Sequence, residues 1–291
     1  MKMNPKDTLF SPKLSIRCHG TVMDFSIPRV MGIVNITQDS FYEKSRYMDE
    51  RSLLSTASAM LTQGADMLDV GAASSRPGAI IIPEEEEKSR LKMALRAIRK
   101  EHPDCFISVD TFRSGIAEYV ISEFGVCMIN DISAGRADAR MMTIVGSLHA
   151  AYVMMHMQGT PQTMQVNPHY QDVVKEILAF FAERKDEAIK HGIADIIIDP
   201  GFGFGKTNVQ NFQLLHELGL FRWLEAPVMV GISRKSMIYK SLKITPDEAL
   251  NGTSVLNALA LNNGAHILRV HDVTEAAEVV KLFSIYSKAG G

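Results

Sequence analysis

Eight short apolar runs, each closed by a polar or glycine-rich loop, recur along the 291 residues of the chain. They are Val30 to Asn35, Met67 to Gly71, Phe106 to Asp110, Val126 to Asn130, Ala151 to Met155, Ile196 to Asp199, Val228 to Ile232, and Ile267 to His271. Between them lie helical stretches such as Arg51 to Gln63, Pro83 to Lys100, Asp172 to His191, Val209 to Leu220 and Gly252 to Asn262. Near-continuous apolar runs are the signature of strands buried on both faces, and their alternation with helices implies a parallel sheet. Eight such units in one chain predict an α/β fold, a (β/α)8 TIM barrel, with a doubly wound open sheet as the alternative. The segment Leu14 to Phe25 alternates loosely around His19 and Gly20 and predicts an N-terminal β-hairpin that lies outside the repeat and closes the barrel floor. No linker, low-complexity tract or charge block divides the sequence, so residues 1–291 read as a single domain.

Composition narrows the function. A hydrophobic content of 46% with 22% charged residues suits a soluble protein with a full core. A net charge of −2 offers no general attraction to nucleic acid or to an anionic membrane, so any anion must be bound locally. The first residues carry charges and two prolines where a signal peptide needs an apolar stretch, and no run approaches the length of a membrane span. Cys18, Cys105 and Cys127, odd in number and widely spaced in apolar surroundings, read as buried thiols of a reducing cytoplasm. The run Glu84 to Glu87 after Pro83 reads as acidic residues placed in a first helical turn to suit the macrodipole.

The polar residues at the strand ends point to a site. The strands end in Asn35, Gly71, Asp110, Asn130, Asp199 and His271, with His156 and Ser233 just beyond the fifth and seventh. The C-terminal ends of barrel strands converge on one mouth, which is where such folds bind ligands. Asp110, Asn130 and Asp199 together supply two carboxylates and an amide, groups able to grip a flat heterocycle bearing amino and ring N–H groups, to hold a divalent metal, or to act as an acid/base pair. Taken one at a time, each aspartate also suits a helix cap, and Asp131 and Asp272 are assigned to that role. Arg269 and His271 lie two apart on one face and suggest a phosphate or pyrophosphate pocket, to which Ser74-Ser75-Arg76-Pro77-Gly78 adds a further arginine and hydroxyls. Lys235 shares the parity of Gly231 and Ser233 and should reach inward, whereas Arg234 should point outward as a surface charge. In IIIDPGFGFGK, Gly201 and Gly205 enclose three residues, not the four of a P-loop; the spacing leaves open a loop approaching a ligand and an ordinary turn. His156, among Met154, Met155 and Met157, reads as a histidine held in packing, and no His-x-x-x-His spacing supports a histidine-bound metal.

Several segments resemble the dihydropteroate synthases of the folate pathway: MGIVNITQDSF (Met31 to Phe41), DVGAASSRPGA (Asp69 to Ala79), VDT (Val109 to Thr111), NDISAG (Asn130 to Gly135), MHMQGTPQTMQ (Met155 to Gln165), DPGFGFGK (Asp199 to Lys206), GISRK (Gly231 to Lys235) and LRVHDV (Leu268 to Val273). The resemblance implies condensation of dihydropterin pyrophosphate with para-aminobenzoate to give dihydropteroate and pyrophosphate. It implies that Asp110, Asn130, Asp199 and Lys235 hold the pterin, and that Asn35, Arg76, Arg269 and His271 hold the pyrophosphate with Mg2+ at Asn35. Ser75, Pro77, Phe204, Lys235 and Ser236 would border the para-aminobenzoate site, and the loops after the first two strands would close over the substrates. It also implies a homodimer, with the late helices from Gly252 onward as the contact, and sensitivity to sulfonamides. Gln38, where the family usually has proline, and Ser75, where it usually has threonine, depart from the pattern. A methyltransferase binding methyltetrahydrofolate in a similar barrel and a catalytically silent pterin binder are the rival readings; the anion-holding Arg76, Arg269 and His271 count against the first.

Overall fold

The computed structural model describes residues 14–18, 20–36, 46–73 and 82–289, the side chains of residues 46–49 excepted. Strands β1 (Ser15–Cys18) and β2 (Thr21–Asp24) pair antiparallel as the expected hairpin. Eight parallel strands follow: β3 (Arg29–Asn35), β4 (Met67–Gly71), β5 (Phe106–Asp110), β6 (Met128–Asp131), β7 (Ala151–Met155), β8 (Ile196–Asp199), β9 (Met229–Val230) and β10 (Ile267–Val270). They are ordered β8-β7-β6-β5-β4-β3-β10-β9. A parallel bridge between Ile198 and Val228 brings the two ends together, with the Ile198 N–H donating to the Pro227 carbonyl at 3.0 Å. An open sheet would leave two edges apart, so the doubly wound alternative is excluded and the fold is the (β/α)8 barrel.

Helices α1 (Arg46–Thr62), α2 (Glu84–Glu101), α3 (Ser114–Phe124), α4 (Met141–Ser147), α5 (Val173–Lys190), α6 (Asn208–His216), α7 (Ser236–Leu242), α8 (Leu250–Asn262) and α9 (Val273–Ala289) lie between and after the barrel strands. The stretch Val209 to Leu220, expected as one helix, stops at His216 and continues as a 3-10 turn over Leu218–Leu224. Leu218, Phe221 and Leu224 are all buried, and their spacing of three is the period of the tighter helix. The short ladder of β9 also falls inside the longer run, Val228 to Ile232, that hydropathy marks out.

Side-chain parity builds two cores. Outward residues such as Val30, Leu68, Val70, Val109, Ile129, Tyr152, Ile198 and Leu268 pack against the helices. Met31, Met67, Met128, Val153, Ile197, Met229 and Ile267 pack with Ile16, Met23 and Phe25 of the hairpin and its exit. The hairpin therefore plugs the lower end of the barrel, as the sequence suggests, and the Arg17 N–H donates to Asp195 Oδ2 at 2.9 Å to hold it there. The cysteines require a correction. Cys18, at the end of β1, is joined by a disulfide to Cys127, just before β6, with Cα atoms 5.1 Å apart and a sequence separation of 109. Docking of the hairpin on the barrel floor creates that neighbourhood, which spacing alone does not reveal. Cys105 is the free thiol among the described residues, half-buried and pushed up to about 11 by burial.

Candidate active site

Register places the site. Asn35 pairs with Gly71 across β3 and β4, Gly71 with Asp110 across β4 and β5, and Asp110 with Asn130 across β5 and β6. These four residues form one rung around half of the mouth. A Cβ placed on Gly71 would stand 3.5 Å from Asp110 Cβ and 3.6 Å from Asn35 Oδ1, so the glycine leaves a recess between them.

Across the barrel, Arg269 of β10 reaches back to this rung. Its Nη2 donates to Asp110 Oδ2 at 3.0 Å and its Nε to Asp69 Oδ2 at 2.6 Å. Asn130 Nδ2 donates to that same Asp69 oxygen at 3.0 Å. Burial opposes the charge of Arg269, but Asp69 and Asp110 outweigh it and hold its pKa above the ordinary value. Burial pushes Asp110 up to about 7 in spite of Arg269.

The remaining wall comes from β8 and the turn after β9. Burial also raises the pKa of Asp199, with Lys235 pulling the other way, while Asp199 Oδ1 accepts from the Gly201 N–H at 2.8 Å. Lys235 reaches inward as parity predicts. Its Nζ donates to the Phe202 carbonyl at 2.7 Å and sits 4.6 Å from the centre of the Phe204 ring, and burial brings its pKa down to about 8. The space a Cβ would occupy on Gly231 is 3.7 Å from Lys235 Nζ and 4.0 Å from Asp199 Oδ2, so ammonium and carboxylate converge over that glycine. Ser236, half-buried, opens α7 directly beside Lys235. Ser233 Oγ lies 3.1 Å from His271 Nδ1 and accepts from the His271 N–H at 3.2 Å, fixing the histidine just past the end of β10.

An apolar wall completes the mouth: Ile132, Met155, Met157 and Met164 cluster with Phe112 and Phe204. Sequence reasoning missed all but Phe204 of this group, and it also missed Asp69. Asp69 is fully buried inside β4, two residues before Gly71. A charged residue in the middle of an otherwise apolar strand, on the parity of a strand tip, was the available signal.

The glycine loop has a local explanation. Gly201 and Gly205 have φ of +71° and +62°, and a Cβ on either would collide with the backbone of His156 or Gln158. The close approach is thus to the chain's own loop after β7. Lys206 fastens this contact: its buried Nζ donates to the carbonyls of Gly201, Phe204 and His156 at 2.8, 3.0 and 3.3 Å, and lies 3.2 Å from His156 Nδ1. Burial drives His156 down to about 2, so it is a neutral packed histidine, edge-on to Phe180 as well.

Three assignments made from sequence change. Asp131 is no helix cap: its carboxylate accepts from Ser133, from the Gly135 N–H and from the Tyr152 hydroxyl, and so shapes the loop after β6. Arg234 and Asp272 form a two-pronged ion pair at 2.9 and 2.8 Å, and Arg234 also donates to the carbonyls of Pro246 and Asp247. Arg234 is a tie between loops, and the Asp272 side chain is engaged with it. Glu84 to Glu87 do occupy the first turn of α2, but Glu87 is buried, where it accepts from Thr111 Oγ1 at 2.7 Å and pairs with Arg113. It thereby braces the residue that follows Asp110. Gln38, Ser75, Arg76 and Pro77, and the loops that carry them, lie outside the described residues, as does His19.

A closed (β/α)8 barrel with charged and polar strand ends around a partly apolar mouth defines a class: barrel proteins that bind a small, flat, polar ligand at the C-terminal face. The chain belongs to the pterin-binding enzyme family, whose model matches residues 31–271. It is 37% identical to a Haemophilus influenzae dihydropteroate synthase over 278 residues, which is 95% of this chain and all of that protein. It is 38% identical to the Escherichia coli K12 dihydropteroate synthase, covering 92% of this chain and 95% of that one. Among solved structures, a Yersinia pestis dihydropteroate synthase with a sulfonamide drug matches with a TM-score of 0.88 at 34% identity, over 94% of this chain and 99% of that one. A Xanthomonas albilineans dihydropteroate synthase with 4-aminobenzoic acid matches with a TM-score of 0.86 at 34% identity, over 94% and 98% of the two chains.

Proposed function

We propose that the chain is a transferase that condenses 6-hydroxymethyl-7,8-dihydropterin pyrophosphate with para-aminobenzoate, giving 7,8-dihydropteroate and pyrophosphate, as one pterin-binding barrel domain. The observation that carries this reading is the convergence of Asp110, Asn130, Asp199 and Lys235 inside a ring that also holds Arg269 and His271. Carboxylates accept from the amino and ring N–H groups of a pterin, and Lys235 donates to its acceptors. Arg269 and His271, with Asn35 and Arg76, form the anion side for pyrophosphate. Phe204, Ser236, Ser75 and Pro77 border the para-aminobenzoate, and the apolar wall behind Phe204 suits an aryl ring.

The chemistry needs no protein nucleophile. The C–O bond between the exocyclic methylene and pyrophosphate breaks, and both electrons leave with pyrophosphate. The cation left on the methylene is spread into the pterin ring, where Asp110 and Asp199 stabilise it. The arylamine nitrogen then forms the C–N bond and loses a proton. Cys105, a half-buried thiol whose pKa is raised, has no place in these steps. Asn35 offers one hard amide oxygen on an exposed strand end, and among the described residues no three histidine, cysteine or acidic side chains are placed to hold a metal ion by themselves. That donor set fits a magnesium ion carried mainly by water and phosphate. When bound, Mg2+ would offset charge on the departing pyrophosphate.

No helix among the described residues is long and apolar enough to cross a membrane. The cytoplasm is proposed as the compartment from the small soluble substrates, since the Cys18–Cys127 bridge removes the support the cysteines lent to it. A homodimer is proposed through α8 and α9, whose Val255, Leu259, Leu282, Ile285 and Tyr286 are exposed apolar residues on adjacent helices. Sulfonamides, as para-aminobenzoate mimics, would compete at the Phe204 side. The pterin assignment is tested by calorimetric titration of 6-hydroxymethylpterin into the protein and into Asp199→Asn. A loss of at least about tenfold in affinity is expected, because the substitution removes the negative charge and replaces one acceptor oxygen by an NH2 donor that would face a ligand N–H. Equal affinity would remove Asp199 from the site.

A further inference from the structure

We infer that Asp69 is a positioning residue for pterin recognition: it fixes which end of the Asn130 amide meets the ligand and sets the edge of Arg269. This rests on the reading of the mouth as a pterin site.

The inference starts from what a buried carboxylate can do. Asp69 is fully buried one layer beneath the rung of Asn35, Gly71, Asp110 and Asn130, and one of its oxygens accepts from Asn130 Nδ2 at 3.0 Å and Arg269 Nε at 2.6 Å. A carboxylate only accepts, and a guanidinium only donates. The Asn130 amide must therefore turn its nitrogen toward Asp69, which leaves its oxygen as the end presented to a bound ring. The site then offers acceptors from Asp110 and Asn130 on one wall, and an acceptor, Asp199, beside a donor, Lys235, on the other, matching a heterocycle with amino and ring N–H groups and a ring acceptor. Without Asp69 the amide is free to flip, and a flipped Asn130 would present N–H to N–H.

The same oxygen orients Arg269. With Nε on Asp69 and Nη2 on Asp110, two directions of the guanidinium fork are committed, so its plane is fixed and Nη1 is the remaining prong for an anion. Asp69 links three strands, β4, β6 and β10, through these two bonds. Its other oxygen, Oδ1, has no hydrogen-bond partner among the described residues, although it is buried. A buried carboxylate that is half satisfied is a poor choice for stability alone, so its retention is better explained by what it does to Asn130 and Arg269.

The test uses the wild-type protein and Asp69→Leu, which fills a similar volume and leaves no acceptor for Asn130 or Arg269. Wild type is labelled with 15N-asparagine, the Asn130 side-chain amide is assigned with Asn130→Ser, and 6-hydroxymethylpterin and inorganic pyrophosphate are titrated separately by calorimetry. The inference predicts that, before any ligand is added, one Asn130 amide proton is shifted to low field and exchanges slowly, as expected for donation to a carboxylate. In Asp69→Leu that signature disappears and, at a temperature where the variant is folded, pterin affinity falls by about tenfold or more while pyrophosphate affinity also drops. An Asn130 amide in wild type with ordinary shift and rapid exchange would overturn the inference, even if Asp69→Leu fails to fold. So would a folded Asp69→Leu that binds pterin as wild type does. Should wild type bind no pterin while keeping the amide signature, the pterin reading fails and the hydrogen-bond assignment survives.

Discussion

Asp110 gives the site a pH signature of its own. Its folded pKa of about 7 lies above the ordinary 3.8 because burial outweighs Arg269. Between those values the folded state holds a proton that the unfolded chain has released, so this group's contribution to stability is lost as pH rises through that window. Asp110→Asn should therefore flatten the decline, by up to about 1.4 kcal/mol per pH unit, in urea titrations between pH 4 and 7. Function runs the opposite way. Ring N–H groups need the ionised carboxylate, so kcat/KM should rise as pH passes about 7 and fall above about 8 as Lys235 loses its proton. In Asp110→Asn the lower limb should vanish at a much reduced rate. A profile with an unchanged lower limb would assign that proton elsewhere.

Elements set how well these residues are held. The β8 loop depends on Gly201, where a side chain would strike the His156 carbonyl, and on the three carbonyls that Lys206 gathers. Gly201→Ala should cost at least about 2 kcal/mol in denaturant unfolding, since the strained φ adds to the collision. Lys206→Met should cost a similar amount, about 2 to 4 kcal/mol, and weaken ligand binding through the displaced Phe204. The strands, the hairpin and the tip residues Asn35, Asp110, Asn130 and Asp199 could be read from hydropathy and period-two parity, because both are local properties of the chain. What depends on contact between distant segments could not. Asp69 binds Arg269 across 200 residues, Cys18 meets Cys127 only once the hairpin docks, and Asp131 and Asp272 take up Tyr152 and Arg234, which distant segments of the chain bring to them. The aromatic and methionine wall at the mouth was hidden for the same reason: Met155 and Met157 look like ordinary core until Phe112 and Phe204 close on them.

The whole molecule divides into a floor that gives stability and a mouth that gives chemistry. Ile16, Met23 and Phe25 seal the lower end, so Phe25→Ala should lower unfolding stability by about 3 to 5 kcal/mol while leaving the KM of both substrates near wild type at a temperature where the variant is folded. On the outside, the proposed homodimer predicts that wild type sediments as a dimer and Leu259→Glu with Leu282→Glu as a monomer, because like charges would replace the apolar face of α8 and α9. The central claim is that the mouth transfers a pterin-methyl group from pyrophosphate to an arylamine. The most direct measurement is simultaneous quantification of pyrophosphate and dihydropteroate formed from dihydropterin pyrophosphate, with and without para-aminobenzoate and magnesium. Equal amounts of the two products, appearing only when both additions are present, are the predicted result. Tight pterin binding with neither product formed would contradict it and leave a silent pterin binder.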